Sequence, residues 1–246
     1  MIGMQKLFVF FHSMEVGLAF AYFSLAFMAY FFLYRNKLLQ ALALRFTRNS
    51  ASNLTFINCV RSLGFILLGL IPGITFPFLF GTTLPEMGIQ LPRGSHLWMW
   101  ALFPTVLFLT GSYLRPTKGM DLDFYPQARI PCWSRSALVL NAVFWILYLA
   151  GYEFAFRGYL FFPAAQAFGL WPAILINSSI YGITHIPKGA GEAFGAFFLG
   201  ILFCLIAYST HSILIPLVLH IILAVGNDLK AIQANPDMQI LKQGKG

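Results

Sequence analysis

Apolar residues fall along this chain in seven long runs, with most polar residues collected between them: 7–34, 55–81, 97–113, 137–162, 170–187, 192–209 and 212–229. Each run is close to or above the roughly 18 residues that cross the hydrocarbon core of a bilayer. An open sheet edge in lipid would leave backbone groups unsatisfied, so every run is read as a helix. The pattern predicts an all-α polytopic membrane bundle of about seven transmembrane helices, forming one domain over 1–246. The second run contains Pro72 and Pro77. A kink is expected there, or a split that raises the count to eight. The first run is too long for a signal-peptide core and lacks a small-residue cleavage site, which predicts a retained anchor.

The intervening segments have different characters. Residues 35–54 carry apolar positions at helical spacing beside a basic face, which predicts a helix lying along the membrane surface. Residues 114–135 contain Arg-Pro and Tyr-Pro steps and read as irregular. Out-of-place polar residues gather after residue 136, dividing the domain into N-terminal helices (1–135) and a chemically richer core (136–229).

Composition strengthens the membrane reading. Of the 246 residues 59% are hydrophobic and 10% charged, against about 25% charged in ordinary globular chains; mean hydropathy is +0.74. The net charge of +8 is explained by where the cations lie. Arg35, Lys37, Arg45 and Arg48 follow the first run, and Arg115, Lys118, Arg129 and Arg135 follow the third. Lys188 follows the fifth, and Lys230, Lys242 and Lys245 follow the seventh, whereas the alternate loops hold only Lys6 and Arg93. This positive-inside pattern predicts an outside amino terminus and a cytoplasmic carboxyl terminus, with no nucleic-acid partner. Cys59, Cys132 and Cys204 are too scattered for a disulfide framework or a thiolate zinc site.

The chemistry lies in the polar residues inside the runs. A charged side chain at a helix centre costs about 2.5–3.5 kcal/mol on insertion scales, yet YEFAFR places Glu153 and Arg157 there, one turn apart. Such a pair can simply lock helices together. Gly169 marks a turn midway between residues 153 and 185, so a helical hairpin closed there brings His185 opposite the pair. The seventh run adds His220 near its middle, with Asn227 seven residues on and nearly the same face, then Asp228. Glu192 lies four residues after Lys188. A surface pair is the default for these two, although Glu192 cannot be far from His185. His211 reads as interfacial, and His12, Glu15 and Arg61 have no assigned role. A carboxylate and a histidine around one water can activate it for attack on a carbonyl, while histidine and amide donors stabilise the resulting oxyanion. Glu153, His185 and His220 also make a possible three-ligand zinc set. Spacing alone leaves metal-free and metal-dependent chemistry both open.

These residues resemble the CAAX prenyl protease and bacteriocin-processing (CPBP, Abi) superfamily of intramembrane endopeptidases, marked by EExxxR, FxxxH and HxxxN or HxxxD on successive helices. YEFAFRG matches the first motif with Tyr152 in place of the leading glutamate, YGITH matches the second with Tyr181 for phenylalanine, and HIILA matches the third at His220 but ends in Ala224. A bacterial branch that reads HxxKPxxE after the first motif is similar to HIPKGAGE, and Asp228 fits the acid with which that branch ends. The resemblance implies an integral protein of the bacterial inner membrane that hydrolyses a peptide bond of a membrane-embedded or lipidated protein. Glu153 would activate or orient water, Arg157 would be its electrostatic partner, His185 would share the activation and His220 would donate to an oxyanion. Asn227, Asp228 and Glu192 would form a second tier. No cofactor is required, and a divalent metal such as zinc is compatible. Tyr152 cannot serve as a carboxylate base. Three readings follow from that: a protease in which Glu153, helped by Glu192, takes over; a non-catalytic binding or bacteriocin-immunity protein; or a structural cluster. A transporter would show internal repeat symmetry, and the two halves show none.

Overall fold

The computed structural model describes residues 2–47, 52–94, 97–114, 122 and 124–241. Arg48, Arg115, Lys118, Lys242 and Lys245 lie outside the described residues, as do the side chains of Lys6 and His12. The first helix, α1 (Ile2–Arg35), is followed by the short amphipathic α2 (Lys37–Thr47), where a surface helix was expected. Next come α3 (Ser52–Phe65) and α4 (Ile71–Phe80), joined without a break through a π-helical turn, Ile66–Leu70. The expected split at the prolines does not occur. Pro72 falls in the first turn of α4, where a missing N–H is tolerated, and Pro77 lies in its last turns.

After α5 (Leu97–Leu114) the chain is irregular up to α6 (Arg135–Glu153), which starts where Ser134 accepts a hydrogen bond from the Ala137 amide. A second π turn, Phe154–Tyr159, leads into α7 (Phe161–Phe168). Gly169, with φ 85°, then reverses the chain into α8 (Leu170–Thr184), so the hairpin closes at the expected glycine, in a conformation that only glycine adopts freely. A single 3-10 turn, Ile186–Lys188, leads to α9 (Ala190–Thr210) and then α10 (Leu214–Ala234). The all-α expectation holds apart from a parallel pair of two-residue strands, Cys132–Trp133 with Gln239–Ile240, which docks the C-terminal tail beside α6.

Five segments are long and apolar enough to cross a membrane: Met14–Arg35, Asn53–Phe80, Arg135–Phe168, Ala190–Thr210 and Leu214–Ala234. The remaining two expected spans correspond to α5, whose apolar stretch is the shorter Leu102–Gly111, and to α8, which has 15 residues. At 1.5 Å per residue α8 is about 22 Å long, below the roughly 30 Å hydrocarbon thickness.

The molecule is apolar outside and charged within. Phe78, Phe103 and Phe198 face outward, whereas Arg61, Glu153, Arg157 and Asp228 are each at most 1% exposed. Burying charge and exposing phenylalanine is what a lipid environment asks of a bundle. The helix pair α3–α4 meets α6 closely where Gly69 faces Gly151: a Cβ on Gly69 would lie 2.9 Å from the Gly151 Cα, and one on Gly151 would lie 3.0 Å from the Phe65 Cα. Bare backbone is needed on both sides of that crossing.

Candidate active site

The site is built around the π turn between α6 and α7. Widening the helix there frees the Phe156 carbonyl, which accepts a 2.6 Å hydrogen bond from Asn177 Nδ2 on α8. Cys204 Sγ on α9 donates to Asn177 Oδ1 at 3.3 Å, so one amide ties three helices together. Arg157 sits in this turn, fully buried. Its Nε lies 3.5 Å from Glu153 Oε2, and its guanidinium carbon lies 4.3 Å from the ring centre of Tyr181 and 5.1 Å from that of Phe203. Aromatic faces therefore solvate the cation where water cannot. The other oxygen, Glu153 Oε1, is 2.5 Å from His220 Nδ1 on α10. Arg157, Glu153 and His220 form a line, with only His220 partly exposed.

His185 ends α8. Its backbone N–H bonds to the Gly182 carbonyl rather than to that of Tyr181, which leaves the Tyr181 carbonyl orphaned at the helix terminus. His185 Nδ1 lies 2.8 Å from that oxygen. A carbonyl only accepts, so Nδ1 carries the proton and Nε2 keeps its lone pair. In the same way the Glu153 carboxylate selects the Nδ1–H tautomer of His220.

Two adjoining cavities share Tyr125, His185, Lys188, His220 and Ala224. The first, of about 90 Å³, is walled by aromatic residues of α1, α6 and the 124–127 segment, among them Tyr30, Tyr34, Trp145, Tyr148 and Tyr152. The second, of about 350 Å³, is lined also by Tyr181, Glu192 and Asn227. Both histidines, Glu192 and Asn227 thus come to one place, from α8, α9 and α10. The default surface pair of Glu192 with Lys188 does not form. Glu192 Oε2 accepts from the Tyr125 hydroxyl at 2.9 Å, and the Lys188 ammonium lies 5.6 and 5.7 Å from the Phe124 and Tyr125 ring centres. Burial lowers the Lys188 ammonium from the usual lysine value, while nearby Glu192 opposes that shift. Ala224 lines both cavities where the motif has a polar residue, and Asn227 offers an amide one turn further along.

Two of the expected site residues do not line these cavities. Glu153 lines neither cavity, because both of its oxygens are spent on Arg157 and His220. Asp228 is drawn elsewhere: its Oδ2 accepts from Asn141 Nδ2 at 2.6 Å, and Asn141 Oδ1 accepts from Arg61 at 2.7 Å. Arg61 also reaches Gln127 Oε1 and stacks 4.1 Å over Trp145. Eight residues beyond His220 on α10, Asp228 is about 12 Å away along the axis and serves this second buried cluster. Glu153, His185 and His220 do not gather as zinc ligands. Among the described residues no three His, Cys, Asp or Glu side chains do so.

Sequence reasoning missed Tyr125, Asn141, Thr184 and Asn177. Asn141 and Asn177 were legible as amides inside apolar runs, where an unpaired polar group is costly. Tyr125 and Thr184 carried no such signal. His211 has φ 49° and an exposed side chain at the α9–α10 turn.

The described motifs fall within one family match. The model for type II CAAX prenyl endopeptidase Rce1-like proteins matches residues 131–225. Residues 131–225 are Rce1-like. The match takes in Tyr152, Glu153, Arg157, His185, Glu192 and His220, and ends just before Asn227. That segment is similar to a CAAX-type protease family, and it lies in a chain with five helices long and apolar enough to cross a membrane. No curated protein and no solved structure matches the chain.

Proposed function

We propose that this Rce1-like chain is an intramembrane endopeptidase that hydrolyses a peptide bond of a membrane-associated or lipidated protein with a water activated in the larger cavity. The observation that carries this reading is the convergence of His185, His220 and Glu192 from three helices on one cavity, with Glu153 and Arg157 buttressing His220 from behind.

Glu192 is the carboxylate of that cavity, so it takes the place left empty by Tyr152. Water held between the Glu192 carboxylate and His185 Nε2 loses a proton to one of them as its oxygen attacks the scissile carbonyl. The Asn227 amide donates to the developing oxyanion, and the Nδ1–H bond to Glu153 fixes the His220 ring in the cavity wall. The proton taken from water then passes to the leaving amine. Glu153 is the orienting group for His220, and Arg157 is its ion-pair partner. By the basic-loop pattern, the carboxyl terminus and the Lys188 turn face the cytoplasm.

The test is membrane-wide terminal proteomics in the native host, comparing wild type with His185→Ala and Glu192→Gln at matched expression. Peptide termini that vanish in both variants are expected, and they would name the substrate. Tyr152 favours a second reading, a binding or immunity protein that kept the cavity. An unchanged set of termini alongside loss of the host phenotype in both variants would establish that reading instead.

A further inference from the structure

The motif position that resembles a catalytic glutamate is filled by Tyr152, and its surroundings give it a different task. Tyr152 is buried in α6, and its hydroxyl lies 2.9 Å from Thr184 Oγ1, in the last turn of α8. Thr184 Oγ1 in turn lies 2.8 Å from the Tyr181 carbonyl, the same orphaned acceptor that receives His185 Nδ1–H. The carbonyl can only accept, so the threonine proton points to it and the tyrosine proton points to the threonine. A directed chain runs from Tyr152 through Thr184 to Tyr181, and His185 closes on the same oxygen.

The ring of Tyr152 does a second job. It meets both imidazoles edge to face, with centroids 6.5 Å away at 78° for His185 and 5.7 Å away at 73° for His220. One side chain therefore meets both histidines and pins the terminal turn that carries one of them. That turn needs a pin: it is the C-terminal end of a 15-residue helix, its last carbonyls lack intrahelical partners, and the following 3-10 turn leads straight to Gly189, with φ 97°. Thr184 could serve the carbonyl alone, but the bond from Tyr152 ties the turn to a neighbouring helix.

We infer that Tyr152 is a positioning residue, which clamps the end of α8 through Thr184 and thereby holds the His185 ring in its Nδ1–H tautomer at a set distance from His220. Its catalytic consequence rests on the endopeptidase reading; the clamp itself does not. A carboxylate at 152 would accept rather than donate, so it could take the threonine proton away from the Tyr181 carbonyl. The substitution is thus compensated by Thr184, and the carboxylate function moves to Glu192 on a different helix.

The experiment reads geometry and turnover separately. Full-length protein with ¹⁵N-labelled histidine is reconstituted in phosphatidylethanolamine–phosphatidylglycerol vesicles and examined by solid-state NMR, with His185 assigned by loss of its signal in His185→Gln. Wild type is expected to show a single Nδ1–H tautomer. Tyr152→Phe, which keeps the ring, and Thr184→Val, which keeps the shape, are expected to show a mixture with the Nε2–H form, whereas Thr184→Ser is expected to match wild type. The double variant Tyr152→Phe/Thr184→Val should look no worse than Thr184→Val alone, because both break one chain. On a peptide cleaved by wild type, Tyr152→Phe is expected to lower kcat about fivefold with KM unchanged, the effect of one lost hydrogen bond. A His185 signal identical in wild type and Tyr152→Phe would overturn the clamp. The NMR pattern as expected with no cleavage of any membrane peptide would keep the clamp and remove the endopeptidase.

Discussion

Replacing Glu153 with glutamine changes one charge in a place where charge has few other partners. Glu153 and Arg157 are both fully buried, and the described contacts of the guanidinium are the carboxylate at 3.5 Å and three aromatic rings. Removing one member of such a pair strands the other, which costs about 3–5 kcal/mol in buried sites. Glutamine returns part of this, since its Oε1 can still accept from His220 Nδ1–H for about 1 kcal/mol. A net loss of about 2–4 kcal/mol is therefore expected for Glu153→Gln, roughly a 30- to 1,000-fold change in the folded-to-unfolded ratio. Arg157→Met should lose a similar amount, because it leaves the carboxylate with His220 alone. The double variant Glu153→Gln/Arg157→Met contains no stranded charge, and methionine can pack between Tyr181 and Phe203. It should be more stable than either single variant, with a coupling energy of at least about 2 kcal/mol. Reversible unfolding of the purified protein in mixed micelles measures all four corners of this cycle. Additive losses would refute the pairing argument, since they would mean that each charge is satisfied independently of the other.

Three further outcomes follow from the geometry. Gly69→Ala and Gly151→Ala should each cost about 1–3 kcal/mol by overpacking the crossing of the two rods, whereas Gly17→Ala, whose added methyl meets nothing within 4 Å, should not destabilise; thermal unfolding in detergent separates the two classes. Asp228→Ala should cost about 3–5 kcal/mol by stranding Arg61, yet leave cleavage per folded molecule close to wild type, and terminal proteomics normalised to folded protein checks this. Glu86 accepts from the Thr83 amide at 2.7 Å and from its hydroxyl at 2.8 Å, bonds that hold its carboxyl below the usual carboxylate value of 4.5. With the folded value depressed, the turn's protection is present above 4.5 and lost as pH falls through the lowered value. Hydrogen exchange at Thr83 should show that loss, and Glu86→Gln should remove its dependence on pH.

The chain's periodicity determined the architecture by itself. Long apolar runs in a bilayer leave no alternative to helices, and Gly169 between two such runs marks a hairpin. The cost of Glu153, Arg157, His185 and His220 in lipid also marked each of them as needing a partner. What the sequence could not determine was which partner each would take. Glu153 faces His220 and is closed off from the cavities, while Glu192 faces into one of them, and nothing in the order of residues distinguishes the two carboxylates. Asp228 and Asn227 are neighbours in sequence but point about 100° apart on α10, so one enters the cavity and the other joins Arg61 and Asn141. The prolines of the second run suggested a break that a π turn absorbs. Tyr152, which reads as a lost catalytic group along the chain, becomes a clamp only when the end of α8 lies against it. Periodicity is a property of one helix and survives in one dimension. The choice of partner depends on the rotation and depth of helices against each other, and those are settled only when glycine crossings, π turns and buried amides are packed together.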